Sequence, residues 1–110
     1  MIDGAWIVAN YNDSGVDETG NYEIYTFNFF EGGLVKAYNQ NEVVAAEGSW
    51  DVIRDNDGGL NFILNLGAET PFDELLDEWD IVSTTSVRLE LKDISGGDGS
   101  TDVLVFEKIP

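Results

Sequence analysis

The predicted fold is built around Asp3-Gly4-Ala5-Trp6-Ile7-Val8-Ala9, a short apolar strand near the N-terminus that carries the pattern Gly-x-Trp. The pattern returns at Gly48-Ser49-Trp50 and, in weaker form, at Glu78-Trp79-Asp80. All three tryptophans therefore stand at or near the start of a predicted strand. We expect them to belong to the core, because large aromatic side chains dominate protein interiors.

The size and charge of the chain limit both its architecture and its partners. Its 110 residues fit a single domain, residues 1–110. It has no cysteine and no histidine, so it lacks thiolate chemistry and the commonest general base. Its 22 acidic residues against 5 basic ones give a formal charge of −17, which repels nucleic acid and anionic lipid. We predict a non-enzymatic protein with no cofactor, no nucleic-acid partner and no membrane-spanning segment.

Eight segments have the residue pattern of β-strands, separated by turn sequences such as Glu31-Gly32-Gly33. The polar stretch Asn10–Gly20 is predicted as a loop. The predicted strands are Asp3–Ala9, Tyr22–Phe30, Leu34–Tyr38, Glu42–Asp51, Leu60–Leu66, Trp79–Thr84, Val87–Lys92 and Val103–Ile109. Glycine at position 48, inside the fourth strand, predicts either a bulge or a close approach of another backbone segment.

One short helix is predicted between the fifth and sixth strands, near Phe72 to Asp77. Thr70 has the character of an N-cap, and Pro71 suits the first helical position. Phe72, Leu75 and Leu76 would share one face at α-helical spacing.

These elements predict an all-β fold, an eight-stranded antiparallel up-and-down barrel with one short helix between strands 5 and 6. Closure into a barrel suits many short strands, because it leaves no strand edge exposed. A two-sheet sandwich of the same strands is the alternative, and periodicity alone does not separate the two.

The chain resembles the small bacterial lipocalin-like proteins of the calycin group over nearly its whole length. The matching features are Gly4-Ala5-Trp6, the echo at Gly48-Ser49-Trp50, the helix Thr70–Leu75, Trp79 and the closing Leu104–Lys108. The resemblance implies a barrel that binds a small, mainly apolar molecule, in a secreted lipoprotein or other periplasmic or envelope-associated protein. It also implies that Lys108 packs over Trp6 at the closed end, where arginine is the more typical residue.

The predicted second strand carries more aromatic side chains than one sheet face needs. Alternation puts Tyr22 and Phe30 on one face, and Tyr25, Phe27 and Phe29 on the other. We therefore predict that one face is covered or binds a ligand near the open end, with tyrosine hydroxyls at a wet rim. The predicted ligand-binding residues are Tyr22, Tyr25, Phe27, Phe29 and Tyr38.

Two acidic, glycine-containing loops, Asp55–Gly58 and Gly96–Asp102, supply the oxygen atoms that calcium takes as ligands. A calcium loop that began at Asp55 would need glutamate at its twelfth position, where Leu66 stands. Asx turns account for both segments, and we predict no metal site.

Two hypotheses for the function follow. The first is a lipocalin-like binding protein for a small apolar ligand. The second is a protein-interaction or inhibitor module that presents an acidic exterior and loops to a basic protein partner, with a filled barrel as scaffold. The protein is expected to be a monomer in either case. Its 13 aromatic residues would crowd the interior of an eight-stranded barrel, so the space left inside discriminates the two.

Overall fold

The computed structural model describes residues 4–54, 58–94 and 101–109. In these ranges the chain forms nine β-strands and two short 3-10 helices, Thr19–Tyr22 and Phe72–Leu75. The strands are β1 (Ala5–Asp13), β2 (Val16–Asp17), β3 (Thr26–Phe30), β4 (Leu34–Tyr38), β5 (Val44–Arg54), β6 (Leu60–Asn65), β7 (Asp77–Thr84), β8 (Arg88–Ile94) and β9 (Thr101–Lys108).

The strands form one antiparallel sheet that closes on itself. Its order is β2-β1-β3-β4-β5-β6-β7-β8-β9, and β1 also pairs with β9. Eight strands therefore form the barrel, and β2 is an extra strand that pairs with β1. The predicted eight-stranded antiparallel up-and-down barrel is confirmed, and the sandwich alternative is wrong.

The up-and-down course of the chain gives the barrel two different rims. We call one the terminal rim, because it carries the first residues of β1 and the last residues of β9. We call the other the helical rim, because both 3-10 helices lie there. The terminal rim comprises Gly4, the turn Glu31–Gly33, the turn Thr85–Val87 and Lys108, and the helical rim comprises the turn Ser14–Gly15, Thr19–Tyr22, the turn Asn39–Val43 and Phe72–Leu75.

Inward-facing side chains form a single core of aromatic rings and leucines. On β6 the alternate residues Phe62 and Leu64 are buried, whereas Leu60 at the strand end is exposed. The largest fully buried side chains are Trp6, Trp79, Tyr22, Phe27, Phe29, Phe62, Phe106, Leu64, Leu75, Leu89, Leu91 and Leu104.

The segment predicted as a loop, Asn10–Gly20, is largely ordered into strands and a helix. Strand β1 continues to Asp13, and β9 pairs with it as far as Asn12. Ser14 and Gly15 both have positive φ, 51° and 93°, and turn the chain back into β2. The prediction was wrong because pairing with the distant β9, rather than local composition, holds these polar residues in a strand.

The second predicted strand, Tyr22–Phe30, is also shorter than predicted. Strand β3 begins only at Thr26, and Tyr22 lies in the first 3-10 helix. This placement takes Tyr22 out of the strand alternation, so its ring is buried together with Phe27 and Phe29 instead of facing away from them. The aromatic side chains Tyr22, Phe27 and Phe29 therefore all pack in the core.

The predicted short helix lies where expected, between the fifth and sixth barrel strands, but it is one turn of 3-10 helix rather than α-helix. No side-chain hydrogen bond caps it, so the prediction of Thr70 as N-cap was wrong. Phe72 and Leu75 are buried and Leu76 is exposed. The helix ends at Leu75, and Leu76 already has an extended backbone (φ −68°, ψ 108°), which is why it leaves the predicted face.

Candidate functional site

The structure separates the five predicted ligand-binding residues into two groups. Tyr22, Phe27 and Phe29 are buried in the core, and the partly buried Tyr25 packs against it. Tyr38 lies on the outer face of β4, where it helps line a shallow depression of about 260 Å³ with Thr26, Asn28 and Glu42. The five residues therefore do not line one common pocket.

The buried aromatic rings contact one another directly across the barrel. The ring of Phe106 is 5.4 Å from that of Phe27 and 5.4 Å from that of Phe29, both in edge-to-face geometry. Phe29 also makes an edge contact at 5.8 Å with Phe62. These are ordinary distances for packed aromatic pairs, so the rings occupy the space in which a ligand of the barrel would lie.

The helical rim, which corresponds to the predicted open end, is covered by the two 3-10 helices. The hydroxyl of Tyr22 donates to the carbonyl oxygen of Pro71 at 2.7 Å, and that of Tyr11 donates to Glu74 at 3.3 Å. The indole of Trp79 donates to Leu75 at 3.1 Å. Tyr22 is fully buried, and its hydroxyl connects the first 3-10 helix to Pro71 at the start of the second, so the prediction that the Tyr22 hydroxyl lies at a wet rim was wrong.

Replacing Tyr22 with phenylalanine should destabilise the protein by about 0.5–1.5 kcal/mol, the net contribution of a typical hydrogen bond. The change removes the 2.7 Å bond from the hydroxyl, while the Pro71 carbonyl keeps the 3.3 Å bond that it accepts from the Glu74 N–H. Urea denaturation of the parent and of Tyr22→Phe measures the effect, with Tyr25→Phe as the control. Equal stability of Tyr22→Phe and the parent would contradict this role of the hydroxyl.

The terminal rim is filled by two tryptophans. The indole nitrogen of Trp50 donates to the carbonyl oxygens of Phe30 and Leu34, both at 3.0 Å, so it holds the β3–β4 turn. Its ring stacks on Phe62 with 6.0 Å between centroids. Trp6 is fully buried and lies opposite Lys108 in the β1–β9 register, which puts both side chains on the same face of the sheet.

Carboxyl groups are paired where β7, β8, β9 and β1 reach the helical rim. The hydrogen bond that the protonated Asp93 carboxyl donates to Asp77 and, next, burial raise the pKa of Asp93 to about 6. Burial and the neighbouring Asp13 raise the pKa of Asp102, although the Ser14 N–H donates to Asp102 Oδ1 at 3.0 Å. Asp93 and Asp102 are direct neighbours in the β8–β9 register, so the two pairs adjoin.

The Asp77–Asp93 pair predicts that stability falls as pH rises through about 6. The folded-state pKa of Asp93 lies above its ordinary value of 3.8, so its contribution is fully present below about pH 4 and is lost through pH 6. Asp93→Asn should flatten this dependence and be more stable than the parent at neutral pH, because an amide can donate to Asp77 at any pH. Urea titrations across this range test it, with Glu23→Gln as the charge-matched control. Parallel pH profiles for parent and Asp93→Asn would contradict the pairing.

Three carboxylates at the helical rim are close enough to share a cation. The ligand atoms of Asp13, Glu18 and Glu74 lie within 4.8 Å of one another, and this is the one such group among residues 4–54, 58–94 and 101–109. Burial and the charge of Glu18 raise the pKa of Glu74, which is the response of a carboxyl group that has acidic neighbours. Acidic side chains cluster in this way without a metal, and we assign none. Of the two predicted acidic loops, residues 55–57 and 96–100 lie outside the described ranges.

One surface depression lies outside the barrel wall, beside the β3–β4 turn. Its volume is about 490 Å³, and it is lined by Gly32, Gly33, Ser49, Trp50, Asp51 and Ile63. The lining residues that belong to β5 and β6 were not among the predicted site residues. Each stands in a short alternation of polar and apolar residues, which is typical of a solvated sheet face.

No helix in the described part of the chain is long and apolar enough to cross a membrane.

Comparison with known proteins adds no family to this description. No protein-family model matches the chain, and no curated protein or solved structure gives a significant match. The function is therefore argued from the barrel, its filled core and its charge.

Proposed function

We propose that this protein is a non-enzymatic binding module that acts through its acidic outer surface, with the filled barrel as a rigid scaffold. The observation that supports this best is the packing of Phe27, Phe29, Phe62 and Phe106 against one another in the barrel interior. In a carrier, apolar side chains of the barrel interior would contact the ligand, whereas here these rings contact one another. The hypothesis of an internal apolar ligand stays a prediction, and the packed rings weigh against it.

The charge distribution supports a basic partner. Of the five basic residues, Lys36 pairs with Glu47, and Arg88 pairs with Glu90 and Glu107. These pairs neutralise only part of the 22 acidic residues, so the exterior keeps a large negative potential. Such a field attracts cationic surfaces, speeds their association and disfavours acidic competitors.

The lipocalin-like resemblance remains part of this proposal. The closed eight-stranded order and the position of Trp6 opposite Lys108 support it. A secreted, periplasmic or envelope-associated location and a lipid anchor rest on the resemblance alone.

A direct test compares a basic probe with an apolar one. Fluorescence anisotropy of a labelled peptide of alternating lysine and leucine should show binding that weakens strongly between about 50 and about 300 mM sodium chloride, because salt screens exposed charges. The matched peptide with glutamate in place of lysine should not bind.

The apolar probe is an environment-sensitive hydrophobic dye. The parent should leave its fluorescence unchanged, whereas Phe29→Ala, which removes a ring from the core, provides the control that shows the dye can report a cavity. Tight dye binding by the parent, together with no binding of the basic peptide, would reverse the proposal in favour of the carrier hypothesis.

A further inference from the structure

We propose that the basic partner docks on the outer face of β5, β6 and β7, where Asp51 and Glu78 receive an arginine side chain between them. This inference rests on the proposed function and gives it a surface and a recognition chemistry. This surface contains none of the five ligand-binding residues that were predicted from the sequence.

Strand register places two carboxylates on either side of an isoleucine. Asp51 lies opposite Ile63, and Ile63 lies opposite Glu78, so the three residues form one row across three adjacent strands. Neighbouring strands are about 4.8 Å apart, which separates the backbones that carry the two acids by roughly 10 Å. Asp51 and Glu78 are exposed. An arginine stem can lie along Ile63 while its guanidinium meets carboxylates on both sides.

The next row supplies a hydrogen-bond acceptor that has no donor. Asn61 lies between Ile53 and Asp80 in the register and is only 8% exposed, although it is on the outer face. Its amide nitrogen donates to Glu78 Oε1 at 2.7 Å, while its Oδ1 atom is buried without a hydrogen-bond partner. A buried acceptor without a donor is costly. Because this Oδ1 atom is buried, a guanidinium held by Glu78 reaches it when the side chains over it shift, and its N–H group then supplies the missing donor.

The 490 Å³ depression borders this row at Asp51 and Ile63 and gives the partner's side chains room beside the arginine. Its wall toward the β3–β4 turn consists of Gly32 and Gly33, which have no side chains to fill it. Both glycines have positive φ, 98° and 95°, a conformation that a larger residue adopts with strain, so the turn itself keeps the depression open.

Exposed apolar side chains lie beside the row of Asp51, Ile63 and Glu78, so the residues around the partner's arginine are expected to be apolar. Leu34, which is opposite Ser49 on the outer face, is 37% exposed, and Ile53 is exposed to the same extent. Arginine is preferred to lysine here because its planar group can engage two carboxylates and still donate to an amide. The partner is therefore a basic protein or peptide with an arginine set among apolar residues.

The experiment uses a labelled peptide with one arginine between leucines and, as its partner control, the same peptide with glutamine in place of arginine. The double variant Asp51→Asn/Glu78→Gln should bind the arginine peptide at least about tenfold more weakly than the parent, which is the scale for removing a close charge pair. The charge-matched variant Glu23→Gln/Asp73→Asn alters exposed acids elsewhere and should lose less than about twofold. Circular dichroism of each variant confirms that the barrel is retained.

A second readout is the side-chain amide resonance of Asn61, which should shift on addition of the arginine peptide and not of the glutamine peptide, with the Asn28 amide on β3 as internal control. If both double variants weaken binding equally, or the Asn61 resonance stays in place, the docking surface is wrong while the acidic binding module stands. If the parent binds neither the arginine peptide nor the lysine–leucine peptide, the proposed function itself fails.

Discussion

Replacing Trp6 with alanine is expected to destabilise the protein by about 3–5 kcal/mol, the range for deleting a large buried aromatic side chain. Trp6 is fully buried at the point where the barrel closes. It lies opposite Phe27 of β3 on one side and opposite Lys108 of β9 on the other. The registered pairing of β1 with β3 consists of Ala5 with Asn28 and Trp6 with Phe27, so a cavity here adjoins the shortest seam between barrel strands.

Urea denaturation followed by circular dichroism measures this loss without depending on the tryptophan that is removed. Ile7→Ala is the matched control, because Ile7 is the next residue on the same strand and is 39% exposed. Its change should stay near the small effects that are usual for surface positions. A loss below about 1 kcal/mol for Trp6→Ala would show that the indole contributes little to closure, since surface substitutions have effects of that size.

The parts of the fold that the sequence predicted well are those in which local signals agree. Strand β4 has the bounds predicted for it, Leu34–Tyr38, because Gly32 and Gly33 end the preceding strand and Asn39–Asn41 begin the next turn. Period-two alternation also puts Arg88 and Glu90 on the same face of β8, and the two side chains are 3.3 Å apart. Turn residues and period-two alternation act over a few positions, so one sequence is enough to recognise them.

The candidate site depends instead on contacts between distant segments. The bond from Tyr22 to Pro71 joins residues 49 positions apart, and nothing near Tyr22 indicates that its ring enters the core from a 3-10 helix. The row of Asp51, Ile63 and Glu78 exists only because β5, β6 and β7 pair in one particular register. A shift of one residue in either pairing would turn the row's members to opposite faces of the sheet, and local composition does not fix that register.

Replacing Gly48 with alanine is expected to destabilise the protein by at least about 3 kcal/mol, the upper part of the range for overpacking a core. The sequence predicted a bulge or a close backbone approach at this glycine, and the close approach is confirmed. A Cβ atom on Gly48 would overlap the carbonyl oxygen of Asn65 and lie 3.0 Å from the Cα of Leu66. These are backbone atoms at the end of β6, so they cannot rotate away as a side chain would.

The overlap can be relieved only by moving the end of β6 away from β5, where Ser49 pairs with Asn65. Gly20→Ala is the control, because a Cβ there has no heavy atom within 4 Å and its φ is not in the positive region. Chemical denaturation should leave Gly20→Ala within about 0.5 kcal/mol of the parent, as for other exposed positions. Equal stabilities for the two alanine variants would mean that β6 can withdraw from Gly48 at no cost, and that the β5–β6 seam does not determine the shape of the barrel.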